Sequence, residues 1–132
     1  MAKVLIVEDN PANMTLAIFL LQSAGYAVLS ATNAETGLAL ARHEQPDLVL
    51  MDIQLPGMDG LQATALLKAD DATRAIPVIA LTALAMKGDE ERIRAAGCDG
   101  YIAKPLAYKE FLATVAAQLA KVPVQARPTF GR

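Results

Sequence analysis

The chain has no tryptophan, one cysteine and one histidine among 132 residues, and each scarcity closes off a class of chemistry. Cys98 cannot form an internal disulfide and leaves a thiolate metal site without its ligands, so it is expected as a small core residue in a reducing compartment. His43 falls near the end of a helix-forming stretch, where a lone imidazole is expected on the surface, interacting with the helix dipole. Aromatics make up 5% of the chain and the formal net charge is −2, with a pI near 5.3. No basic surface interleaved with aromatics is available for nucleic acid. No apolar run approaches the roughly 18 residues of a membrane span. The N-terminus lacks a signal-peptide pattern, because Lys3 is followed only by Val4 to Val7 before two acids. A cytoplasmic location is expected, without membrane or nucleic-acid contact. A P-loop nucleotide site is excluded for want of a GxxxxGK[ST] run.

What the chain does have is apolar substance, 54% of its residues, at a length suited to one domain with one core. Lys3 to Val7, Tyr26 to Ser30, Asp47 to Met51, Val78 to Leu81 and Tyr101 to Ala103 read as short buried strands. Between and after them, helices are expected over Pro11–Ala24, Asn33–His43, Asp59–Lys68, Asp89–Ala96 and Tyr108–Ala120. Asn10 is a candidate N-cap before Pro11, and Gly25 and Gly97 are stop signals. The inward residues are expected to be Leu16, Ala17, Leu20, Leu21 and Ala24 on the first helix, and Ala34, Leu38 and Ala41 on the second. The third helix is expected to turn Leu61, Ala65 and Leu66 inward, and the fifth Phe111, Leu112, Val115 and Leu119. Met14, Ile18 and Phe19 lie outside the first helix's stripe, and Met14 with Ile18 suggests a docking patch.

Strand followed by helix, repeated five times, implies parallel strands joined by right-handed crossovers, with helices on both faces. All strand tips then share one edge, where ligands of open α/β sheets bind. The acids Glu8, Asp9 and Asp52 all sit at strand tips, as do Thr82 and Lys104. Taken singly, each has an ordinary role as cap, strand residue or surface charge; their joint appearance at four strand ends does not. Three carboxylates brought together repel one another, and an all-oxygen set without histidine or cysteine suits a hard cation such as Mg²⁺. With Lys104 as fixed positive charge and Thr82 as hydroxyl donor, the set suits phosphoryl transfer, a carboxylate attacking phosphorus to give an aspartyl phosphate.

VLIVEDN at 4 to 10, LVLMDIQLPGMDG at 48 to 60, VIALTA at 78 to 83 and YIAKP at 101 to 105 resemble the receiver domain of bacterial two-component response regulators, over residues 3 to about 120. The stretch from 85 to 105 further resembles single-domain receivers of the DivK kind, which act in cell-cycle and polarity signalling. The resemblance implies a flavodoxin-like, CheY-like (βα)5 doubly wound fold with a five-stranded parallel sheet; its order, 2-1-3-4-5, comes with the family and is not a deduction from spacing. It implies Asp52 as phosphoacceptor and Mg²⁺ held by Glu8, Asp9, Asp52 and the backbone carbonyl of Gln54. Thr82, Ala83 and Lys104 would bind the phosphoryl group, and Lys104–Pro105 would be a cis peptide. Thr82 and Tyr101 would switch the face formed by the fourth helix, fifth strand and fifth helix, through which a downstream protein is regulated. Met14, Ile18, Pro56 and Leu84 would dock partners.

The implied donor is a sensor histidine kinase or a histidine phosphotransferase, and the implied role is not that of an enzyme but of a phosphoacceptor that assists its own phosphorylation and dephosphorylation. Residues 1–121 are expected to be the receiver domain and 122–132 a flexible tail too short for an output domain, so output must be a protein contact. A phosphorelay intermediate and an unphosphorylated scaffold are the alternatives within this fold. A haloacid-dehalogenase phosphatase is disfavoured, because Gln54 stands where those enzymes carry a second aspartate.

Overall fold

The computed structural model describes residues 1–83 and 87–121, the side chain of Lys87 apart. The strands are β1 (Lys3–Val7), β2 (Ala27–Ala31), β3 (Leu48–Asp52), β4 (Val78–Thr82) and β5 (Gly100–Ala103). The helices are α1 (Pro11–Ser23), α2 (Ala34–Glu44), α3 (Gly60–Ala69), α4 (Lys87–Ala95) and α5 (Tyr108–Ala120). All neighbouring strands pair in parallel, in the order β2-β1-β3-β4-β5. The expected 122–132 tail and Leu84 lie outside the described residues.

The sheet is buried on both faces because its strands are apolar at successive positions, and period-two alternation sends those side chains to opposite sides. Leu5, Val7, Val49, Met51, Val78 and Ala80 meet α2, α3 and α4 through Ala34, Ala41, Ala63, Leu67 and Ile93. Val4, Ile6, Leu48, Leu50, Ile79 and Leu81 meet α1 and α5 through Ala17, Leu20, Leu21, Phe111 and Val115. Cys98 is buried in the first of these cores, as expected, and His43 is exposed.

Helix starts follow side-chain caps. Asn10 Oδ1 accepts from Asn13 N–H at 3.0 Å and Asn33 Oδ1 from Thr36 N–H at 2.8 Å, each worth about 1 kcal/mol. Asp59 and Gln62 form a reciprocal capping box at α3, so Asp59 stands before that helix rather than in it. Gly25 and Gly97 follow α1 and α4 with φ of 92° and 106°, a backbone region open to glycine.

Several expected boundaries and faces shift. β2 starts one residue later than expected because Tyr26 N–H is taken by Leu21 O, closing α1. On α1, Leu16 and Ala24 are exposed, while Met14 and Ile18 are half-buried against the core. The exposed large hydrophobics of α1 are therefore Leu16 and Phe19, since a helix apolar on most sides lets packing choose the inner stripe. On α2, Gly37 is buried and Leu38 only half so. On α3 the buried residues are Gly60, Ala63, Thr64 and Leu67 rather than Ala65 and Leu66. Small side chains bring this helix close to the sheet, and Thr64 Oγ1 donates to Gly60 O at 2.8 Å, which satisfies its hydroxyl inside the core.

Candidate functional site

The sheet order brings the chemistry together. β1 and β3 are central neighbours in register Val7↔Met51, so Glu8, directly after β1, emerges beside Asp52, the last residue of β3. β4 lies on the other side of β3 and ends at Thr82. Lys104 follows β5, its N–H donating to Thr82 O at 2.8 Å. The Lys104–Pro105 peptide is cis.

Lys104 Nζ lies 2.9 Å from Glu8 Oε1 and 3.0 Å from Asp52 Oδ2, joining two carboxylates that are 1% and 2% exposed. The second oxygen of each is held by the backbone two residues on. Gln54 N–H donates to Asp52 Oδ1 at 2.9 Å, and Asn10 N–H to Glu8 Oε2 at 3.1 Å. Both carboxylates are thus fixed in direction before any ligand arrives.

One cation between two acids leaves negative charge uncompensated. Burial, and then the nearness of Asp52, push the Glu8 carboxyl above its ordinary range. Burial pulls the Lys104 ammonium down, but hydrogen bonds to Glu8 and Asp52 outweigh it and leave the group above its usual range. Among the described residues, the Lys104 ammonium is the cation that faces Glu8 Oε1, and it is shared with Asp52. Asp9 is exposed at the mouth of the site, and Glu8, Asp9 and Asp52 offer oxygens within 4.8 Å of one another. This donor set, hard, all-oxygen and with more negative charge than Lys104 offsets, fits a metal ion.

Of the remaining expected residues, Thr82 is fully buried beside Asp52, whereas Ala83, Gln54 and Pro56 are exposed at the same edge. Tyr101 is half-buried against the α4 side of the sheet, and its hydroxyl donates to Glu90 Oε2 at 2.7 Å. Sequence reasoning missed two residues that shape this edge. Gly60 was legible only as a turn signal, although its lack of a side chain admits α3 beneath Asp52. Glu90 gives no sequence signal, being one of three successive helical acids.

Residues 4–116 match the family described as the response regulator receiver domain. The chain is 53% identical over 116 residues to the polar-differentiation response regulator DivK of Brucella anthropi, covering 88% of this chain and 94% of that one. The DivK protein of Brucella abortus is 51% identical over the same shares. Among solved structures, the receiver domain of a sensor histidine kinase from Pseudomonas aeruginosa, with a magnesium ion coordinated in its active-site cleft, superposes with a TM-score of 0.85 at 36% identity, covering 91% of this chain and 98% of that one. The chemotaxis protein CheY4 of Vibrio cholerae does so with a TM-score of 0.84 at 27% identity, covering 89% and 98%. With the paired acids, hydroxyl and lysine converging at one sheet edge, these likenesses show that the chain belongs to the response regulator receiver domain family.

Proposed function

We propose that this receiver is a phosphorylation switch in which Asp52 takes a phosphoryl group from a phosphohistidine and the protein signals through altered protein contacts. The observation that carries this reading is the Lys104 ammonium set between Glu8 and Asp52, 2.9 and 3.0 Å away. It marks a site built to hold negative charge in fixed positions. In the step itself an Asp52 oxygen forms a bond to phosphorus as the bond from phosphorus to the donor imidazole nitrogen breaks. The nitrogen leaves with its electron pair. Lys104 and the Thr82 hydroxyl are placed to receive the phosphoryl oxygens, which frees Lys104 from neutralising carboxylates alone.

Glu8, Asp9, Asp52 and the Gln54 carbonyl would hold Mg²⁺, which when bound offsets charge on the transferring oxygens. Three clustered carboxylates facing a single ammonium support this assignment. The donor is a sensor histidine kinase or a histidine phosphotransferase. The exposed Leu16 and Phe19 on α1, the helix that follows Glu8 and Asp9, offer such a helical donor an apolar landing. Output runs through the face of α4, β5 and α5. The similarity to a polar-differentiation regulator, spanned to 94% of its length, supports a role in cell-cycle or polarity control, by a receiver acting in the cytoplasm.

Intact mass after incubation with acetyl phosphate and Mg²⁺ tests the reading. One phosphoryl adduct is expected on wild type, absent from Asp52→Asn and absent with EDTA. A wild type left unmodified both by acetyl phosphate and by a phosphorylated histidine phosphotransferase overturns it.

A further inference from the structure

We infer that Glu90 is a latch that holds the Tyr101 ring away from Thr82 and so sets how readily the phosphoryl site takes up its occupied arrangement. This rests on the phosphorylation reading above and adds to it a residue of α4 that lies outside the site.

The strand register supplies the geometry. Ala80 pairs with Tyr101 and Thr82 with Ala103, and partners in a parallel pair project to the same face. Thr82 and Tyr101 therefore stand on one side of the sheet, the side covered by α4 through Ile93. Their neighbours on that face of the two strands, Ala80 and Ala103, carry nothing beyond Cβ, so no larger strand side chain stands in the lane between Tyr101 and Thr82. An aromatic ring beside such a lane needs a reason to stay out of it. The Glu90 carboxylate is that reason: the Tyr101 hydroxyl donates to it at 2.7 Å, a charge-assisted bond stronger than a neutral one.

The nearest acid on the same helix is otherwise engaged: Asp89 pairs with Arg92 at 3.1 Å. Any ligand that draws Thr82 toward Asp52 frees space at the end of the lane. Whether Tyr101 then follows is a competition between that space and the Glu90 bond, so weakening the bond favours the occupied arrangement.

Affinity for beryllofluoride, a phosphoryl analogue, measured with Mg²⁺ by isothermal titration, tests the latch in wild type, Glu90→Ala, Glu90→Gln, Tyr101→Phe and the Glu90→Ala/Tyr101→Phe double variant. Loss of one such bond is expected to tighten analogue binding about five-fold in Glu90→Ala and in Tyr101→Phe. The double variant should gain nothing further over either single one, because both remove the same bond. Glu90→Gln keeps an acceptor but loses the charge and should fall between wild type and Glu90→Ala, a grading that a merely structural role for the position does not require. If wild type binds and all variants match it, or if the two single effects add, the latch is overturned while the switch stands. If wild type itself binds no analogue, the phosphorylation reading falls and the latch falls with it.

Discussion

Gly60 approaches Asp52 from below so closely that a Cβ on it would lie 2.1 Å from the Asp52 carbonyl oxygen and 2.7 Å from Ile53 Cα. Both obstacles are backbone, so neither can rotate aside. The Gly60 N–H also donates to Ile53 O at 3.2 Å, tying the first turn of α3 to the end of β3.

Gly60→Ala is accordingly expected to destabilise the protein by about 3 kcal/mol, the upper end of ordinary overpacking, and to lower the yield of acetyl-phosphate labelling. Gly88→Ala is the control. A Cβ there meets nothing within 4 Å, and alanine in a helix gains up to about 1 kcal/mol over glycine. Urea midpoints of the two variants should move in opposite directions, and a Gly60→Ala midpoint equal to wild type would contradict the close approach.

Lys104→Ala strands two buried carboxylates. The expected loss without metal is about 3 kcal/mol, as for other buried pairs deprived of one partner. Mg²⁺ should raise the melting temperature of this variant more than that of wild type, since the ion takes over a neutralisation that the lysine had supplied. Scanning calorimetry with and without Mg²⁺ reads both effects, and equal Mg²⁺ increments in the two proteins would count against a shared role.

Asp70 gives a pH-dependent tie at the far end of α3. The Ala72 N–H, and then the Arg42 guanidinium, hold its carboxyl below the ordinary aspartate range. A folded pKa below the unfolded one contributes stability that is fully present above the unfolded value and is lost as pH falls through the folded value. Asp70→Asn should therefore be less stable than wild type at pH 7, with the gap in urea midpoint closing toward pH 3. A gap that stays constant with pH would show that the charge is immaterial.

How much of this was visible in the sequence depends on which physical signal each residue carries. Asp52 was legible because an apolar run, Leu48 to Met51, ends on an acid, and chain order alone brings the other strand tips to the same edge. The faces of α1 and α3 were not. On α1 the apolar residues surround the helix, so periodicity points nowhere in particular and Phe19 is left outside. On α3 three of the four inward residues, Gly60, Ala63 and Thr64, are small or polar and suit close approach, Leu67 alone carrying a large apolar side chain. Glu90 was beyond reach for another reason, because a hydrogen bond between a helix and a strand depends on tertiary placement.

At the sheet edge opposite the acids, polar groups tie strand starts to one another and to the helices. Asp47 Oδ2 accepts from Lys3 N–H at 2.8 Å, and Lys3 Nζ donates to Glu44 O at 3.0 Å. Asp99 Oδ2 accepts from Val78 N–H at 2.8 Å and from Lys68 Nζ at 3.1 Å, while Lys68 Nζ also donates to Ile76 O at 2.8 Å. Mechanically the domain is a set of beams clamped at one end. A load at the acidic tips is opposed at the far end of the same strands by these ties.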